Sequence, residues 1–306
     1  MSNGLAVPRG WDEASIPSLT GRRFLVTGGT SGLGRAAATT LSSLGAHVTI
    51  TARNATKAQG VVKSGAARDV LEMDLTDLAS VRHAASHVSE PYDVVILNAG
   101  VMGTPYTLTT DGFELQLGTN HLGHFAFAGL IKNQIKERLV TVSSLYHRYG
   151  TFGDGSIEEI RQRCEGQVPY SARAAYGDSK LANLLFAEEM ERRRDTYGWE
   201  FIAVAAHPGW SNTNLFDADT STRKVAGAVT SLASRLLAQS ASRGALPELC
   251  AATYPGLGGG EYFGPRGPGE LRGSPKLVQS VPKAHDVSLA KNLWQVSEEL
   301  TGVIWE

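Results

Sequence analysis

Short unbroken apolar runs alternate with longer stretches of helical period along this chain. The runs Phe24–Thr27, His47–Ala52, Val70–Met73, Asp93–Leu97, Leu139–Ser143 and Phe201–Ala206 read as strands, with Tyr262-Phe263 as a short seventh. Val94, Val95, Ile96 and Leu97 follow one another without a polar break, the pattern of a strand buried on both faces. Helical spacing predicts helices from Gly32 to about Leu44, from about Asp77 to Val88, over Phe113–Lys136 and over Ala174–Arg194. Strands alternating with helices imply βαβ crossovers. The expected class is therefore α/β, a single doubly wound parallel sheet of about seven strands with helices on both faces. No repeat and no mid-chain linker divides the chain, so residues 1–306 are read as one domain with a C-terminal substrate-binding extension. Three longer segments, Tyr146–Ser171, Trp210–Ser240 and Pro255–Ala284, leave the carboxyl ends of strands, where open α/β sheets bind ligands. The Gly/Pro-rich part, Pro255–Pro275, reads as a long surface loop.

Composition narrows the function. Apolar residues make up 42 % and charged residues 19 %, enough for a large core and too little charge for disorder. The net charge of −1 argues against a duplex-binding protein. The two cysteines, Cys164 and Cys250, form neither a disulfide framework nor a metal-ligand spacing. No apolar run reaches the ~18–20 residues of a membrane span, and no signal pattern opens the sequence, so a cytoplasmic protein is expected.

The glycines give the first chemistry. Thr27-Gly28-Gly29-Thr30-Ser31-Gly32-Leu33-Gly34 follows a strand and opens a helix. Glycine lets such a turn approach a pyrophosphate closely, and the helix N-terminus offers free N–H groups to the anion. The spacing is Gly-x3-Gly-x-Gly rather than the usual Gly-x-Gly-x2-Gly. Further along stand Leu97-Asn98-Ala99-Gly100, Asn120-His121-Leu122-Gly123, Ser143-Ser144, Tyr176-x3-Lys180 and Pro208-Gly209. In this order the set resembles the short-chain dehydrogenase/reductase family, closely from residue 22 to about 215. The resemblance implies a Rossmann fold, with catalytic residues at Asn120, Ser144, Tyr176 and Lys180. The connection from Ser144 to Tyr176 is longer than in many members. It is similar to that of the branch of retinol dehydrogenase-like and protochlorophyllide reductase-like enzymes, as are Asn120–Phe125, Ser143–His147 and Ser179–Asn183.

In a dinucleotide fold the end of the second strand faces the adenosine ribose. Here that strand is followed by Arg53-Asn54, and no acidic residue comes before Asp69, so the expected cofactor is NADP(H), with Arg53 on the 2′-phosphate. The resemblance places Asp74 and Leu75 at the adenine, although Asp74 could instead cap the next helix. It places Asn98, Ala99 and Gly100 along the cofactor and Pro208 and Gly209 near the nicotinamide.

Tyr176 and Lys180 lie at i and i+4 and share a helix face. A phenol is a poor acid–base group near neutral pH, and a nearby ammonium lowers its pKa. Tyr176 is thus expected to be the general acid or base, with Lys180 depressing its pKa; the family resemblance implies that Lys180 also holds the nicotinamide ribose. Ser144 would position the substrate oxygen. Ser143 is the alternative, because adjacent strand residues face opposite ways. Asn120 would hold a water linking Lys180 to solvent. His121 and His124 lack a third ligand and read as core or surface histidines, so no metal is expected. His147 is either a pocket or a loop residue, and His207 supports the loop before Pro208.

These residues predict an NADP(H)-dependent oxidoreductase interconverting a carbonyl and an alcohol on a fairly large apolar molecule. A cofactor-binding sensor without turnover and a C=C reductase are the alternatives. By resemblance, the helices 113–136 and 174–194 could pair two copies in a homodimer.

Overall fold

A computed structural model describes residues 6–210 and 239–306. Most of the 210–240 segment singled out above lies outside the described residues. The strands are β1 (Arg23–Val26), β2 (His47–Ala52), β3 (Asp69–Glu72), β4 (Tyr92–Leu97), β5 (Ile135–Val142), β6 (Ile202–Ala206), β7 (Tyr262–Pro265) and β8 (Pro275–Leu277). They form one sheet in the order β3-β2-β1-β4-β5-β6-β7-β8. Every pairing is parallel except the last, where β8 returns antiparallel to β7. The strand order reverses between β1 and β4, which opens a crevice at their carboxyl ends.

Side chains alternate across the sheet. Leu25, Val95 and Leu97 join one apolar layer, and Phe24, Val26, Val94 and Ile96 join the other. The unbroken β4 run is buried on both sides for this reason. The first layer is covered by α3 (Leu78–Ser86), α5 (Gly123–Leu130), α7 (Ala172–Tyr197) and α9 (Val287–Thr301). The second is covered by α1 (Gly32–Ser43), α2 (Ala55–Lys63) and α8 (Ala241–Thr253). Two short helices complete the set: α4 (Leu115–Leu117) leads into α5, and α6 (Ile157–Cys164) precedes α7. None of the described helices is long and apolar enough to cross a membrane.

Three expectations change. The helical stretch 113–136 is broken. Helix α4 runs through a π-helical turn, Gly118–Leu122, into α5, which stops at Leu130, and β5 begins at Ile135, opposite Tyr92. The polar residues Lys136, Glu137 and Arg138 masked this strand end, because they lie where the sheet reaches solvent. The stretch 255–275 is not simply a surface loop, since it contains β7 and reaches β8. The expected seven strands become eight, and the eighth is too short to show a period.

The C-terminal residues supply a covering the sequence reading did not include. Trp294 of α9 and Trp305 pack with Phe125 of α5 and Phe186 of α7, at centroid separations of 5.2–5.7 Å. Gly129 of α5 has room for no side chain, because the Trp305 indole lies against it. The Nε2 of His121 is hydrogen-bonded to Ser297 of α9 at 2.9 Å. The helices expected to pair two copies are therefore covered on these faces from within the chain.

Candidate active site

A cavity of about 660 Å³ runs along the carboxyl ends of β1, β2, β4 and β5. The glycine turn forms its floor. Gly28 has a φ of 69°, and a side chain there would strike Ala99. Gly34 is pressed against the Asn98 amide and the Gly28 carbonyl, so α1 can start directly beneath the turn. Ser31 is the N-cap of α1, yet its side chain makes no capping hydrogen bond, so the first N–H groups remain available to an anion. Thr30, Ser31, Gly32 and Leu33 line the cavity here, with Arg53 at its β2 edge and Asp74 and Leu75 at its β3 edge. Asp74 accepts from the Thr76 N–H and hydroxyl, and the cap of α3 is Asp77.

Asn98 donates to the Thr27 carbonyl at 2.7 Å, and the Ala99 N–H donates to the Thr27 hydroxyl at 2.9 Å. The glycine turn and the end of β4 are thus one hydrogen-bonded unit, continued in the cavity wall by Gly100. On the far side Gly209 has a φ of 71° and faces the Glu270 and Leu271 carbonyls, which leave no space for a side chain. The Gly209 N–H donates to His207 Nδ1, so His207 does support this loop. Pro208 and Gly209 line the cavity together with Trp210.

Tyr176, Lys180 and Ser144 converge between these walls, and Asn120 is buried against Gly100. The Ser144 hydroxyl acts on the Tyr176 phenol, and both residues line the cavity. Ser143 is committed elsewhere, its hydroxyl donating to the Lys180 carbonyl at 2.8 Å. The Lys180 Nζ lies 5.6 Å from the centre of the Tyr176 ring and donates to the Val142 carbonyl at 3.0 Å.

Burial dominates Tyr176, whose pKa is pushed up to about 12, with the Ser144 hydroxyl opposing the rise. Desolvation also pulls Lys180 down to about 8, countered by Glu248. Asn120 sits in the π-helical turn. Its amide donates to the Val101 carbonyl and the Ser179 hydroxyl, and its oxygen accepts from the Val101 N–H, all at 2.8–2.9 Å. The side chain thereby fixes Val101.

The remainder of the cavity is apolar and aromatic. Val101, Met102, Leu145, Tyr146, Tyr149, Trp210 and Leu271 form it, with Arg148 at the edge. Arg148 pairs with Glu270 at 3.2 Å, and Glu270 also faces His207. The aromatic part comes from residues 145–149, a 3₁₀ turn capped by Ser144, so the long connection to Tyr176 begins as a wall of the site. His147 is buried behind this wall, on the Ser144 carbonyl and against Tyr262, and lines no part of the cavity. The segment Tyr146–Ser171, expected where the strand ends bind ligands, thus begins as cavity lining through Tyr146 and Tyr149.

Comparison with known proteins agrees with this architecture. Residues 22–155 match the family model described as short chain dehydrogenase. The chain is 35 % identical to mouse (Mus musculus) retinol dehydrogenase 14, over 93 % of this chain and 87 % of the relative. The chain belongs to the short-chain dehydrogenase family. Within it, the chain lies in the branch that contains the retinol dehydrogenases. A crystal structure of an uncharacterised protein from Mycobacterium Paratuberculosis is similar to this short-chain dehydrogenase at a TM-score of 0.82 and 38 % identity, covering 97 % of this chain and 99 % of that one. A short chain dehydrogenase from Burkholderia cenocepacia J2315, solved in complex with NADP, shares the fold at a TM-score of 0.59 and 23 % identity, over 80 % of this chain and 96 % of that one.

Proposed function

We propose that this short-chain dehydrogenase is an NADP(H)-dependent oxidoreductase that interconverts a carbonyl and an alcohol on a fairly large apolar small molecule. The observation that carries the reading is the hydroxyl pair Ser144–Tyr176, which sits in one cavity between a backbone anion cradle and an aromatic wall. When bound, the nicotinamide cofactor supplies or receives the hydride. Its phosphates suit the N–H groups opening α1, and Arg53 offers a planar guanidinium at the β2 end, where an acidic residue would repel a 2′-phosphate.

Tyr176 is the proton donor. A phenol held neutral by burial is suited to give its proton to a carbonyl oxygen as negative charge develops there. Ser144 hydrogen-bonds the same oxygen and orients it. The ammonium of Lys180 beneath the ring stabilises the phenolate left behind. Tyr146, Tyr149, Trp210 and Leu271 exclude water and receive the apolar body of the substrate.

Purified protein is to be incubated with NADPH and a panel of apolar aldehydes and ketones, with product analysis to separate carbonyl from C=C reduction. Tyr176→Phe is expected to lower kcat by roughly 10²–10⁴-fold while leaving NADPH binding intact. Failure to reduce any carbonyl would overturn the proposal in favour of a cofactor-binding sensor.

A further inference from the structure

Glu270 lies at the tip of the hairpin that joins β7 to β8 and keeps a left-handed backbone, with a φ of 58°. A side chain is strained in that conformation, and the strain persists only where the surroundings hold it. Here the carboxylate is the held group. One of its oxygens lies 3.2 Å from the Arg148 guanidinium and 3.2 Å from His207 Nε2. Arg148 belongs to the turn 145–149, and His207 to the loop that leads into Pro208 and Gly209. His207 Nδ1 accepts from the Gly209 N–H, so in the neutral ring the proton sits on Nε2 and faces Glu270. His207 above all, aided by Arg148 and Lys276 and against partial burial, holds the Glu270 carboxyl below its ordinary range.

The same three segments build the mouth of the cavity. Behind the tip the hairpin is closed by the Arg266 N–H on the Ser274 carbonyl and the Gly267 N–H on the Arg272 carbonyl, each at 2.8 Å. In front of it the Trp210 N–H donates to the Leu271 carbonyl, also at 2.8 Å. Leu271 of the tip, Trp210 of the loop and Tyr149 of the turn all line the cavity and are all exposed, whereas Tyr176 and Lys180 are buried deeper within it. The charges around this mouth are already engaged. Arg148 and Glu270 face each other, and the Arg173 guanidinium lies 3.8 Å from the centre of the Tyr149 ring.

We propose that Glu270 is a specificity-determining positioning residue, a clamp that holds Leu271, Trp210 and Tyr149 as one collar around the distal end of the substrate. The inference rests on the oxidoreductase reading of the site and deepens it. The substrate class becomes an extended apolar carbonyl or alcohol, long enough to reach the mouth and without a charge at that end. Glu270 touches none of the reacting atoms and acts through the segments it joins.

The test uses purified protein, NADPH and two straight-chain aldehydes, hexanal and decanal. Glu270→Asn tolerates the left-handed backbone but is a methylene too short to reach both partners. The decanal-to-hexanal ratio of kcat/KM is expected to fall about tenfold in this variant, the worth of one or two buried methylenes. The loss should appear in the decanal KM, with kcat for both aldehydes within about twofold of wild type. Such a ratio is independent of the folded fraction, so a merely destabilised protein would not move it. Glu270→Gln, whose amide oxygen can accept from both partners, should restore the ratio. Glu270→Gly, free of the backbone strain, carries the same measurement should Glu270→Asn fold poorly. An unchanged ratio, an equal loss for both aldehydes or a failed rescue by Glu270→Gln would overturn the proposal. A wild type that reduces neither aldehyde would instead defeat the oxidoreductase reading. Hydrogen exchange at the Trp210 N–H, expected to quicken in Glu270→Asn, would then still judge the clamp, and exchange at the wild-type rate would sink it.

Discussion

His124 ties Thr27 of the glycine turn to the main chain of the π-helical turn. Its Nε2 lies 2.9 Å from the Thr27 hydroxyl, and its Nδ1 lies 3.1 Å from the Asn120 carbonyl. A carbonyl can only accept, so Nδ1 carries the proton and Nε2 accepts from Thr27. The Thr27 oxygen in turn accepts from the Ala99 N–H. Desolvation holds the ring neutral, with its pKa pulled down to about 4, as this relay requires. His124→Ala is expected to weaken NADPH binding by about tenfold and to lower stability by about 1–3 kcal/mol, the cost of unpaired buried polar groups. Cofactor titration by fluorescence and urea unfolding will measure both, and His124→Gln should recover part of the loss.

Buried neutral histidines make stability depend on pH. Burial pulls His121 to about 3, and His124 and His147 to about 4, from an ordinary value of 6.5. Above about 6.5 the imidazoles are neutral whether the chain is folded or not, and their contribution is constant. As pH falls from 6.5 towards 4, the unfolded chain takes up protons that the folded chain refuses, so stability falls. Urea midpoints over this range should decline steadily, and His147→Asn should reduce the slope. A flat profile would show that these rings charge without cost in the folded protein.

Arg53 decides cofactor choice if the 2′-phosphate lies at the end of β2. Arg53→Asp is expected to weaken NADPH by about tenfold or more, the scale of a charge-assisted hydrogen bond, and to leave NADH unaffected or improved. Dissociation constants for both cofactors, measured at two salt concentrations, give the result. An unchanged NADPH-to-NADH ratio would remove Arg53 from cofactor recognition.

Helix α9 covers one face each of α5 and α7, the helices that could pair two copies. The protein is therefore expected to sediment as a monomer, and Trp294→Ala should cost about 3–5 kcal/mol of stability by emptying a buried aromatic site. A stable dimer through these faces would require α9 to leave, and hydrogen exchange in residues 287–301 would detect that.

The glycine turn, the β4 end and the Tyr176–Lys180 pair were legible because each depends on local spacing. Gly28, Gly34 and Gly100 occupy places where backbone approaches side chain or ligand, and a helical i, i+4 pair needs only its own helix. The break in 113–136 was not legible, because burial on every side of α5 leaves no polar face to mark a helix end. The partner of Asn120 was not legible either. Val101 is close in space only because β4 and the π-helical turn meet across the cavity. The burial that raises Tyr176 was not legible for a related reason, since spacing reports proximity to Lys180 but not the extent of burial. Helix α9 acts across the whole chain, and no local pattern records such contacts.

The placement of the tryptophans has a practical consequence. Trp294 and Trp305 are buried in the aromatic cluster with Trp199 beside them, and Trp11 is buried under the second layer. Trp210 alone among these five lines the cavity, and it is 38 % exposed. Its emission will lie to the red of the rest and respond first to a molecule entering the cleft, which gives the protein an intrinsic optical reporter of occupancy that needs no dye.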